Sequence, residues 1–216
     1  MGADCFGTDS DGNYERAIYG KKGSAAETYA KKNGIDFRTG KSIASCTISI
    51  PYYQYTYTGN PITPEVTIKN GSTKLVKGTD YTVSYSNNTK VGVATIKITG
   101  KGNYKGTITK TFVVKPAKNN IVLLTSTKVG AFTLKWTKGT AGTVGYEIAY
   151  SKDKNFKTGV NTWTTTNVSK TSENFSKVPK SGETWYVKVR SFYTKDGKST
   201  STRCGNYSSV QTIKVK

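Results

Sequence analysis

The chain's 216 residues suffice for one large or two ordinary domains, and 34% hydrophobic and 12% aromatic residues, with 15 Tyr and 22 Gly, suit short half-buried strands better than long helices. The 33 Lys and Arg against 13 Asp and Glu leave a formal charge of +20, which favours anionic partners; yet the lysines are scattered, and no basic arm or RNP-like, zinc-finger or helix-turn-helix pattern points to nucleic acid. Having no histidine removes the commonest general base and metal ligand, and the three widely spaced cysteines (Cys5, Cys46 and Cys204) make neither a zinc pattern nor a disulfide framework.

Met1-Gly2-Ala3-Asp4 lacks the basic and apolar regions of a signal peptide, so the chain is expected to start inside a longer protein, and no apolar stretch approaches membrane-spanning length. Asp9, Asp11 and Asn13 in DSDGN have the alternation of a cation loop. Gly20 stands where its final carboxylate would be needed, and a polar turn is expected instead. A Cys5–Cys46 bridge has nothing to support it beyond the presence of both residues. Residues 18–37 hold the one convincing helix. Ser24 and Glu27 form a capping box, Ala26, Tyr29 and Ala30 share a face, Lys31 and Lys32 meet the negative end of the dipole, and Asn33-Gly34 supplies the left-handed stop. The pattern IYG-x-x-GS-x-AE-x-YA-x-x-NGI-x-F in this stretch resembles the terminal unit of BspA-like leucine-rich repeats of bacterial surface proteins. The resemblance implies a cap (residues 1–40) that cannot bury its own apolar face and packs on the next domain.

Residues 41–116 read as a first β domain. Cys46, Ile48 and Ile50 alternate, as do Tyr53, Tyr55 and Tyr57, then Val66 and Ile68, and Asn70-Gly71 is the strongest hairpin signal. The organising stretch is Tyr81 to Val114. Tyr81, Val83 and Tyr85 alternate with polar residues, Ala94, Ile96 and Ile98 do the same, and Ile108, Phe112 and Val114 share one parity. Lys110 falls on that last apolar parity, which predicts an edge position or a bulge. Were it buried beside an Asn and an acid, it would be the lysine of an intramolecular amide bond. YTGNPITPEVTI, GTDYTVSYSNN and VGVATIKITGKGNYKG together resemble an immunoglobulin-like module repeated in secreted and surface proteins of Gram-positive gut bacteria, which implies a spacer.

After the short, semi-rigid linker Pro116–Asn120, residues 117–216 read as a second sandwich. Phe132, Leu134 and Trp136 alternate, then Tyr146, Ile148 and Tyr150, then Val187 and Val189, while Val210, Ile213 and Val215 end the chain with one break in parity. LKW, GYEIAYS and VPKSGETWYVKVRSFY resemble a fibronectin type III domain, which implies that Trp136 packs between the sheets. The place of that family's corner tyrosine is taken by Trp185, whose indole N–H can still donate. The expected fold is therefore mostly β, with two antiparallel sandwiches in tandem behind a short helical cap.

No catalytic residue, metal ligand or cofactor is expected: Glu65, Glu147, Glu173 and Glu183 form no carboxylate pair and flank no nucleophile motif. Tyr52, Tyr53 and Tyr55, exposed in a row, and an exposed Trp163 in NTWTTT are the candidate glycan or partner contacts. Core packing and cross-strand pairing compete with that reading. The function expected is a non-enzymatic spacer, adhesion and interaction region of a bacterial surface or secreted protein. Alternatives are a cell-wall or glycan-binding module and an accessory region of a secreted hydrolase. Expected partners are an anionic cell-wall polymer, a glycan or a host protein, with no nucleic acid and no membrane span, and the chain is expected to be a monomer at the cell surface or outside the cell.

Overall fold

The computed structural model describes residues 7–8, 14–15, 17–20, 22–194 and 202–216. The cation-loop residues Asp9, Asp11 and Asn13, and Cys5, lie outside them. Strand β1 (Gly7–Thr8) pairs antiparallel with β2 (Tyr14–Glu15). Strand β3 (Ala17–Gly20), helix α1 (Ala25–Lys32) and β4 (Asp36–Thr39) form one β-α-β unit whose strands are parallel. The capping box forms in a shifted version: the N-cap Ser24 Oγ accepts from the Glu27 amide at 3.4 Å, and the Glu27 carboxylate accepts from the amide of Gly23, one residue ahead of the N-cap. That amide, ahead of Lys31, holds the Glu27 carboxyl below its usual value. Gly34 adopts φ +64, the left-handed stop expected of Asn33-Gly34. Tyr29 departs from expectation. Ala30 is fully buried but Tyr29 is 58% exposed, so the covered face of α1 is narrow.

Strand β5 (Lys41–Ser42) and a 3-10 turn (Ile43–Ser45) lead into β6 (Thr47–Ser49), β7 (Gln54–Thr56), β8 (Thr67–Asn70) and β9 (Thr73–Lys74). The predicted three-stranded stretch becomes β10 (Tyr81–Ser86), β11 (Gly92–Gly100) and β13 (Thr107–Lys115), with the short β12 (Tyr104–Lys105) in the last connection. One sheet has the order β6-β8-β9, the other β10-β11-β13-β7. Asn70 pairs with Thr73, so the hairpin closes through Gly71-Ser72 with Gly71 at φ +59. Strand β13 pairs in parallel with β7 only from Val113 to Lys115. Lys110 precedes that pairing, where β13 is the sheet edge, and it is exposed. The edge reading therefore holds, and the buried lysine that an intramolecular amide requires is absent at this position.

The second β region comprises β14 (Ile121–Thr125), β15 (Phe132–Trp136), β16 (Gly145–Ser151), β17 (Asn161–Thr165), β18 (Ser172–Phe175), β19 (Thr184–Thr194), β20 (Thr202–Cys204) and β21 (Gln211–Lys214). A sheet of order β14-β15-β18 faces one of order β17-β16-β19-β20, with β21 also on β19. Between them lies a core of Phe132, Leu134, Trp136, Tyr146, Ile148, Tyr150, Phe175, Trp185, Val187, Val189 and Val215. Trp136 is buried in it as expected. The Trp185 indole donates to Glu183 Oε2 at 3.1 Å, a carboxylate partner in place of the backbone partner of a tyrosine corner.

Tyr146 takes a related locking role that periodicity did not reveal. Its ring is fully buried, and its hydroxyl accepts from the Gly139 amide at 2.8 Å and donates to the Val168 carbonyl at 3.0 Å, tying two loops to one strand. Tyr146→Phe is expected to leave both backbone groups short of a partner and to cost about 1–3 kcal/mol. Chemical denaturation checks this, and a loss indistinguishable from zero would remove the lock.

By compactness the chain separates into two units: residues 1–51, 64–85 and 96–110, and residues 52–63, 86–95 and 111–216. In the first, the stretch just after the β-α-β unit is joined to the turn after β11. Strand β5 pairs in parallel with β12, and the Lys41 amide donates to the Asn103 carbonyl at 2.8 Å. Ala30, Ile43, Val66, Ile68, Leu75, Tyr81, Ile96 and Ile98 are its buried apolar residues among those described, and Tyr81 donates to the Val66 carbonyl at 3.1 Å. In the second unit, Val91, Ala94, Phe112 and Val114 are buried in addition to the core between the two larger sheets. No helix among the described residues is long and apolar enough to cross a membrane.

Candidate functional site

The candidate contact residues fall into two aromatic clusters. Tyr52 and Tyr53, flanking the start of β7, are 68% and 71% exposed. Tyr55 is half-buried: its ring stands edge-on to Phe112 at 5.4 Å and to Tyr52 at 6.0 Å, and its hydroxyl accepts from the Tyr52 amide at 3.2 Å. Tyr55 thus anchors the pair to the core, and a flat row of three exposed rings does not form.

Trp163 departs from its expected exposure. In β17 it pairs with Ile148, so it points to the inner face, half-buried, edge-on to Trp136 at 6.2 Å and to Phe175 at 6.0 Å. The sequence signal was faint because Trp163 is the lone apolar residue among Asn161, Thr162, Thr164 and Thr165. Strands β17 and β18 each lie at the edge of their sheets, and the gap between them opens as a cleft of about 320 Å³ lined by Tyr150, Trp163, Glu173, Asn174, Phe175, Ser176 and Lys177. Its apolar wall is interlocked: Tyr150 and Phe175 lie 5.0 Å apart, and Tyr150 also meets Phe132 and Trp185. Its polar rim is partly committed. Glu173 pairs with Lys170 at 2.5 Å, the Lys170 ammonium sits 5.2 Å from the Trp163 ring centre, and Asn174 Nδ2 donates to Thr133 Oγ1 at 3.1 Å. The Tyr150 hydroxyl has no hydrogen-bond partner among the described residues although the residue is only 8% exposed, and burial raises its pKa.

A second cluster covers the outer face of the larger sheet. Arg190, directly opposite Glu147 in the ladder, pairs with it at 2.8 Å, and Tyr207 donates to the same carboxylate oxygen. Arg190 and Lys188 stack on the Tyr207 ring at 4.3 and 4.4 Å, and Lys188 also lies 3.8 Å over Phe156. Burial and then the Glu147 bond raise the Tyr207 pKa, while burial and then Arg190 lower that of Lys188. Glu147 offsets Arg190 and leaves the charge of Lys188 over the Tyr207 and Phe156 rings, so the ion pair and the stacked rings together clamp the sheet.

Phe156 reaches Lys188 from a left-handed backbone, φ +56, unusual for a bulky residue. Asp153 holds that loop. Its carboxylate accepts from the amides of Asn155, Lys157 and Thr158 at 2.9, 2.8 and 3.1 Å, and these bonds, Asn155 first, lower its pKa. Because the folded pKa is depressed, the loop's stabilisation is complete above the ordinary carboxylate value and is lost as pH falls through the depressed one. The amides of Asn155, Lys157 and Thr158 should therefore exchange faster in acid, relative to neighbouring amides, and Asp153→Asn should show that loosening at neutral pH. Equal protection at both pH values would refute the assignment.

Glu183, too, has structural partners. Glu183 accepts from the Lys180 amide and from Trp185 and pairs with Lys152 at 3.2 Å; these bonds, the amide first, lower its pKa. Cys46 and Cys204 carry free thiols, both half-buried, and burial raises the pKa of each. No family model and no curated protein matches the chain. Among solved structures it is similar to a two-domain fibronectin type III segment of chicken tenascin, with a TM-score of 0.51 and 15% identity over 79% of this chain and 97% of that one. The FN1–FN3 domains of chicken CNTN1 align at a TM-score of 0.40 and 13% identity over 82% of this chain and 67% of that one. The tenascin segment shows that this mostly β chain has a fibronectin type III-like fold.

Proposed function

We propose that the chain is a non-enzymatic spacer and interaction scaffold of a bacterial surface or secreted protein. Its parts are a leucine-rich-repeat cap (residues 1–40), an immunoglobulin-like module (41–116) and a fibronectin type III-like module (117–216). The observation that carries this reading is the built-in linker. Asn119 is 2% exposed, accepts from Ser191 Oγ at 2.5 Å and donates to the Thr137 carbonyl at 2.9 Å. The backbones of Asn120 and Thr137 are also bonded, the Thr137 amide donating to the Asn120 carbonyl at 2.9 Å. Ahead of the linker, the Val91 amide donates to the Ala141 carbonyl at 3.1 Å. The linker is thus bonded into residues 117–216 and starts from a fixed point, whereas a Gly/Ser tether of equal length would wander.

The test is a replacement inside the longer protein. Exchanging residues 41–216 for two unrelated sandwiches of equal span should preserve whatever the rest of that protein binds, and replacing residues 116–120 by Gly and Ser should impair presentation. Binding that disappears with the exchange, even when span and stiffness are kept, would assign the recognition to this region and end the spacer reading.

A further inference from the structure

We propose that the cleft between β17 and β18 is a binding subsite for an acidic sugar, a pyranose bearing a carboxylate. The inference adds to the spacer role and fails separately from it, since the domain replacement tests span and a ligand titration tests one cleft. Size comes first: about 320 Å³ sits at the small end of ligand pockets, on the order of 300–1,000 Å³. The cleft is built where both sheets end side by side, so no neighbouring strand competes for it.

Its chemistry is that of a sugar site. The rings of Trp163, Phe175 and Tyr150 offer an apolar wall to the C–H face of a pyranose. The Tyr150 ring is buried, but its hydroxyl lines the cleft without a partner among the described residues, a donor and acceptor open to a ligand hydroxyl. Asn174 spends one donor on Thr133 and keeps its carbonyl oxygen.

Charge selects the acid. The cleft's one carboxylate, Glu173, is already neutralised by Lys170 at 2.5 Å. Lys177 has no ion-pair partner among the described residues, so the lining together with Lys170 carries one net positive charge, within a chain of formal charge +20. An anionic group placed near Lys177 gains a charge-assisted bond, whereas a neutral sugar leaves that ammonium unused.

The experiment titrates the full chain with a galacturonic acid trimer and with its fully methyl-esterified form, followed by calorimetry and by ligand-observed NMR. Saturable binding of the acid is expected, with the ester about tenfold weaker. Tyr150→Phe, which removes one oxygen and keeps the ring, should weaken the acid about tenfold without moving the unfolding midpoint. Lys177→Gln should abolish the preference for acid over ester. No saturable binding, wild-type affinity in Tyr150→Phe, or an acid preference surviving Lys177→Gln would each overturn the proposal. The last result would place the affinity in the diffuse positive field.

Discussion

Trp136→Ala is expected to destabilise the second β region by about 3–5 kcal/mol, the range for emptying a buried aromatic site. Trp136 is 2% exposed at the end of β15, edge-on to Tyr146 at 5.5 Å and to Trp163 at 6.2 Å. Truncation opens a cavity under both sheets and removes a neighbour that orients Trp163. The indole N–H has no hydrogen-bond partner among the described residues, so the loss is one of packing alone. Trp136→Phe should therefore cost far less, about 1–2 kcal/mol, because the smaller ring restores most contacts and removes an unsatisfied donor. Guanidinium unfolding followed by far-ultraviolet circular dichroism separates the two variants. Equal losses for Ala and Phe would mean that the indole is held by something other than its packing.

Gly145→Ala is the second large effect, about 3 kcal/mol at the upper end of overpacking costs. Gly145 opens β16 opposite Phe192 of β19, and an added Cβ would stand 2.1 Å from the Thr165 carbonyl oxygen and 2.5 Å from the Phe192 ring. One obstacle is backbone and the other a buried ring, so neither can move without disturbing a ladder on each side of the strand. Gly182→Ala is the control. It sits at φ +82 with nothing within 4 Å, so its cost is backbone strain alone, about 1–2 kcal/mol. Thermal unfolding of both variants decides the matter: a smaller loss for Gly145→Ala than for Gly182→Ala would sink the steric account.

Much of the local structure was legible. Alternation at Tyr81–Tyr85, Ala94–Ile98 and Phe132–Trp136 marked strands because side chains on a pleat can satisfy only two faces. The Ser24–Glu27 box and Asn33-Gly34 marked both ends of α1 because orphan backbone groups need partners. The candidate site was legible only in fragments. Trp163 reads as exposed from sequence because its flanking residues are polar. Its inward direction comes from pairing with Ile148, a register that no local pattern states. Tyr150 alternates with Tyr146 and Ile148 as a core residue does, and only the meeting of the β17 and β18 edges turns it, with Phe175, into a wall.

Sequence alone determined the β-rich character, the turns, the helix caps and the lack of histidine chemistry, since each depends on residues a few positions apart. Tertiary structure decided which edges meet, which tyrosine locks loops (Tyr146) and which keeps an unspent hydroxyl (Tyr150), and that Asn119 bonds to Ser191. Those outcomes depend on pairings between distant segments, where the entropy of closing long loops is offset by burial and hydrogen bonding that short stretches of chain do not encode.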